Sequence, residues 1–136
     1  MILYSMSNNK ESDFKMIYQV FQIQLSDLDI AKLNNGASND EVPAFAAKMA
    51  MQIDFRCETI GTIASNAFNS GLYTHVADIT APDLNGVFEI GNIGPESSIE
   101  RVARMSSLSV GDVIVDESGT MTVVASNGFV KLLEDA

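Results

Sequence analysis

A single cysteine, a single histidine and no tryptophan set the first limits on this 136-residue chain. One cysteine allows no intrachain disulfide, which suits a reducing compartment. One Cys and one His cannot supply the ligand spacing of a zinc site. Long apolar runs are missing as well: no stretch reaches the ~18–20 residues of a membrane span. The opening MILYSMSNNKESDFK has neither the basic start nor the long apolar core of a secretory signal. The expected compartment is the cytoplasm. Basic residues are scarce, with 8 Lys and Arg against 18 Asp and Glu, a net charge of −10. Such a surface repels phosphates and argues against direct nucleic-acid binding. It attracts a basic partner, through a field that weakens with salt.

What is present suffices for a folded core. Apolar residues make up 46% of the chain, including seven Phe and three Tyr. That fraction is too high for a wholly disordered chain, and the length fits one domain. Residues 1–15 read as a polar leader, and 16–133 as the domain.

MIYQVFQIQL alternates apolar and polar positions and predicts a strand near 17–25. Ser26 is a helix N-cap, Asp27 and Asp29 favour a first turn, and Gly36 closes a helix over 27–34. Residues 40–70 read as helix in two pieces. Ser38 and Glu41 form a capping-box pattern, and Pro43 fits only a first turn. Ile60, Ile63, Ala64, Ala67 and Phe68 make an amphipathic stripe ended by Gly71. Further strands are expected near 72–79, 87–90, 112–117, 120–125 and 129–133. Pro95, Glu96, Ile99, Val102 and Ala103 predict one more helix. Gly119 supplies the turn of a hairpin and Asn127-Gly128 its exit. The class is α+β, a mostly antiparallel sheet with helices packed on one face. Its core is expected to contain Phe21, Ile23, Ile63, Phe68, Val76, Phe88, Val113, Val123 and Phe129.

Catalytic patterns are sparse. No Gly-x-Ser-x-Gly elbow occurs, and GNIG at 91–94 lacks the phosphate-binding fingerprint. His75 and Asp78 are three apart, so a regular strand points them to opposite faces. Cys57 beside Arg56 has no histidine near it in sequence. No cofactor is implied. Asp112, Asp116 and Glu117 read as an acidic rim around the hairpin, and Phe45, Met49 and Met51 as an apolar surface. Together these six residues are the candidate interaction surface.

MSSLSVGDVIVDESGTMTVVASNGF (105–129) resembles the C-terminal signature of YodL-type domains and related small proteins of bacteriophages and conjugative elements. The matching positions are Met105, Ser107, Ser109, Val110, Gly111, Asp112, Val113, Ile114, Gly128 and Phe129. MIYQVFQIQLSD (16–27) and THVADITAPDLNGVFEIGN (74–92) are also similar to phage members, so the likeness spans most of 16–130. Related sequences often carry His where this chain has Ser106. The resemblance implies a phage or mobile-element accessory protein and brings no catalytic residues with it.

Three readings follow. The first is a protein that binds and modulates a host or phage macromolecule without catalysis, in the host cytoplasm. The second is a DNA mimic, built from acids at Asp27/Asp29, Asp40/Glu41, Asp112/Asp116/Glu117 and Glu134/Asp135. The third is a small enzyme using His75. Homo-oligomers are compatible with all three.

Overall fold

The computed structural model describes residues 15–54, 56 and 59–132. The alternating MIYQVFQI forms β1 (Met16–Ile23), which lies inside a six-stranded sheet. Beside it run β2 (Tyr73–Ala81) and β4 (Val113–Val115), both antiparallel to it. Outward from these lie β3 (Ile99–Arg101) on one side, then β5 (Met121–Ala125) and β6 (Gly128–Lys131) on the other. The order is β3-β2-β1-β4-β5-β6, and every pairing is antiparallel. The chain is a single α+β domain.

Side chains alternate across the strands, and each sheet face builds its own core. Tyr18, Val20, Ile79, Ile114 and Val124 face one way and pack with Val87 and Leu108. Ile23, Val113, Val123 and Ala125 face the other way and pack with Met51, Ile60 and Ala64. The second face is covered by α2 (Pro43–Gln52) and α3 (Ile60–Asn69). Pro43 opens α2, since it has no amide hydrogen to lose there. Asp54 Oδ2 accepts the Thr59 amide at 2.8 Å and its hydroxyl at 3.2 Å, capping the approach to α3. α1 (Asp27–Asn34) has the expected capping box between Ser26 and Asp29. It buries none of its residues.

Two elements differ from the sequence reading. Residues 87–90, expected as strand, lie in helix α4 (Leu84–Asn92). Asp83 caps it by accepting the Gly86 amide at 2.8 Å, and Val87 is buried against the sheet. Helices therefore cover both faces, not one. The helix expected after Pro95 is a single 3-10 turn (Glu96–Ser98), followed by β3. Val102, counted on that helix's apolar face, is 54% exposed.

Of the expected core, Ile23, Val76, Val113 and Val123 are buried. Phe21, Ile63, Phe68 and Phe129 are only partly so, and Phe88 is exposed on α4. The leader through residue 14, Cys57, and the strand end at 133 lie outside the described residues.

Candidate functional site

A buried polar cluster sits under the segment that leads into β4. Ser109, Val110, Gly111 and Asp112 form a turn closed by the Asp112 amide on Ser109 O at 3.1 Å. Gly111 holds φ +100°, a conformation open to glycine at little cost. Asp112 Oδ2 accepts the Ser109 amide and Gln22 Nε2, each at 3.0 Å. Gln22 reaches further: its Nε2 donates to Ser106 O and its Oε1 accepts the Ser106 amide. Tyr73 donates its hydroxyl to Gly111 O at 2.6 Å. Burial pushes the Asp112 carboxyl up to about 6, against hydrogen bonds from Ser109 and Gln22 and the charge of Lys48. Burial also raises the Tyr73 hydroxyl, with Asp112 adding to it. Gln22 is 3% exposed and Asp112 5%, so the two side chains at the centre of this network are interior and fix the loop before β4.

Asp112 thus leaves the acidic rim expected around the hairpin. Of its companions, Asp116 accepts Ser118 and Thr120 amides across the turn. The hydrogen bond from the Ser118 hydroxyl, aided by backbone amides, lowers the Asp116 pKa. Glu117 accepts the Ile17 amide at 2.8 Å, extending the pairing of β1 beyond β4. The predicted apolar surface is also divided. Met51 is fully buried, Phe45 is half-buried, and Met49 remains exposed on α2. Among the other acids proposed for mimicry, Asp29 and Glu41 serve helix starts, and Glu134 and Asp135 lie outside the described residues.

The feature that the sequence did not reveal is the half of one sheet face that no described helix covers. α2 and α3 shield the end of their face that holds Ile23, Val113 and Ala125. Beyond Phe21, the register aligns Glu100, Asp78, Gln19, Val115 and Met121 in one row across five strands. Directly paired residues point to the same side. Ile17 and Thr80 make the next row, with Ile17 51% exposed. The result is an apolar floor in which Ile17 is exposed and Phe21, Val115 and Met121 are partly buried, flanked by polar groups.

His75 and Asp78 meet on this floor, contrary to the parity argument. His75 Nε2 lies 2.7 Å from Asp78 Oδ1, and each side chain is about one-third exposed. A bulge explains it. Val20 pairs with Ala77 but Phe21 pairs with His75, so β2 carries one extra residue. That residue shifts the alternation and brings positions 75 and 78 to one face. Val76 and Ala77 are both buried in the opposite core as a result. The imidazole stacks on Phe21 at 5.1 Å between centroids, and Phe21 meets Phe68 edge-on at 5.1 Å.

A second exposed apolar feature is α1, where Leu28 is 64% exposed beside an open groove reaching Gly36 and Glu41. Among the described residues, no group of three or more His, Cys, Asp or Glu could hold a metal ion, and no helix is long and apolar enough to cross a membrane. Set against protein-family models, curated proteins and solved structures, the chain matches none of them.

Proposed function

We propose that this protein acts by binding a macromolecular partner, without catalysis, through the uncovered half of its sheet. The observation that carries this reading is exposed Ile17 beside the partly buried Phe21, Val115 and Met121, on the half of the face that α2 and α3 do not reach. Exposed apolar floors with polar borders are typical of interaction sites. The resemblance of most of 16–130, least in 38–70, to YodL-type proteins makes a host or phage protein the expected partner and an accessory role the expected context. A mixed apolar and polar interface is preferred over DNA mimicry because Asp112 is buried, Asp29, Glu41 and Asp116 serve caps and turns, and Glu117 accepts the Ile17 amide.

A photoreactive residue at position 19 tests it. It should cross-link one defined protein in lysate of the cells that carry the gene, and Ile17→Ser should remove that product without changing the melting curve. A product formed only from a probe at Leu28, and insensitive to Ile17→Ser, would move the interface to α1.

The His75–Asp78 pair supports a second reading, a small enzyme. A carboxylate at 2.7 Å orients an imidazole for proton transfer. His75→Ala should leave cross-linking at position 19 intact if the pair is catalytic, and weaken it if the ring is part of the interface.

A further inference from the structure

We infer that the segment bound on the uncovered half-sheet is cationic: a protein stretch that sets lysine or arginine around one or two apolar side chains. This rests on the reading of that face as the binding surface. Three carboxylates border the floor. Asp78 and Glu100 are directly opposite each other on β2 and β3, and Glu117 stands at the other end beside Ile17. Like charges paired across strands disfavour the sheet. His75 engages Asp78, while the exposed Glu100 side chain bonds no described residue. The strands therefore hold two carboxylates at the edge of an apolar floor, of which only Asp78 has a side-chain partner, and a bound cation would pair with Glu100.

Besides His75, the described residues place no base in these rows. Among the described residues, none of the positions in these rows is Lys or Arg, and α3 carries no charge. Lys48 on α2 donates to Ile23 O at the covered end. Arg101 pairs in register with Ala77, whose side chain lies in the opposite core, and is bound to Glu96. Lys15 precedes β1.

The same charges disfavour the other occupants. Nucleic acid and anionic lipid would bring phosphates against three carboxylates. A second copy docked by this face would bring the same three carboxylates across the interface.

The test uses three twelve-residue peptides, with leucine alternating with lysine, serine or glutamate, titrated into isotopically labelled protein. The Lys/Leu peptide should saturably shift the amides of Ile17, Gln19, Phe21, Asp78 and Val115. Asp78→Asn with Glu100→Gln should weaken it by about fivefold, as expected for two exposed ion pairs. Binding should also weaken between 50 and 300 mM salt, by screening. Equal shifts of this face by the Ser/Leu peptide, unaffected by the double variant, would remove the charge preference and leave the face as a binding surface. Shifts confined to α1, or none with any peptide, would overturn both. Dispersed spectra of each variant establish that the fold is retained.

Discussion

Replacing Gln22 by alanine should destabilise the protein by about 3–5 kcal/mol, whereas Asp112→Asn should stabilise it by about 1–2 kcal/mol at pH 7. The opposite signs come from one network. Gln22 joins β1 to the 106–112 segment through Ser106 N, Ser106 O and Asp112 Oδ2. Alanine would take that partner from buried Asp112 Oδ2, at about 1–3 kcal/mol, and from the amide and carbonyl of exposed Ser106, and would leave a void where the buried Gln22 side chain was. Asp112 is different, because its two acceptor bonds both fall on Oδ2. An asparagine oxygen placed there keeps both bonds and removes the buried charge. The new amide nitrogen offsets part of the gain.

The effect depends on pH in a defined direction. Burial raises the carboxyl from 3.8 to about 6. A folded chain that holds this proton more tightly is stabilised by it below pH 3.8, and that contribution is lost as pH rises through 6. Asp116 has the opposite sign, since its pKa is lowered on folding. Denaturant melts of the native chain and Asp112→Asn should therefore coincide near pH 4 and separate by pH 7. A constant gap across that range would mean that the carboxyl is not burdened by burial.

Met51→Ala should cost about 3–4 kcal/mol, the larger part of it from a cavity. Met51 is fully buried between α2 and the sheet. Its Sδ lies 3.7 Å from the Tyr73 hydroxyl, and its Cε would meet a Cβ at Gly111 at 3.3 Å. The side chain thus supports the turn that Gly111 and Asp112 form. Phe68→Ala should cost about 2 kcal/mol, because a half-buried ring loses less contact than a core one. A larger loss at Phe68 than at Met51, read from midpoints at equal slope, would reverse this ranking.

Much of the fold was legible because local signals agreed with the final packing. Alternation in MIYQVFQI, Pro43 at the start of α2, Gly71 past the end of α3 and Gly119 in the hairpin each act within a few residues. The misread elements had competing signals. Asn85-Gly86 invited a turn, yet Asp83 caps a helix whose Leu84, Val87, Phe88 and Gly91 share a face at helical spacing. Gly91 is there because α4 comes close to Leu108: a Cβ at this position would lie 2.6 Å from the Leu108 side chain. Ile99, Val102 and Ala103 do have helical spacing, but β2 pairs with Ile99–Arg101 and overrides it.

The candidate site was less legible, for a physical reason. The meeting of His75 with Asp78 depends on a bulge, which is a property of two strands and leaves no mark in either alone. The open floor depends on how far α2 and α3 extend across the sheet. Asp112 looked like a surface acid beside Asp116 and Glu117, and only the three-dimensional position of Gln22, 90 residues earlier, makes it an interior one.

The sheet order also has a consequence during synthesis. Of the described strands β1 is made first, yet it stands between β2 and β4 and needs both to be satisfied. Gln19 pairs with Asp78 and with Val115, so its second neighbour follows almost a hundred residues later. At typical ribosome speeds that interval is roughly 5–20 s. For that time MIYQVFQI emerges as an apolar strand with unpaired backbone on at least one edge, a form prone to pair with other chains. Nascent chains of this protein should therefore be chaperone clients until residues near 115 leave the exit tunnel.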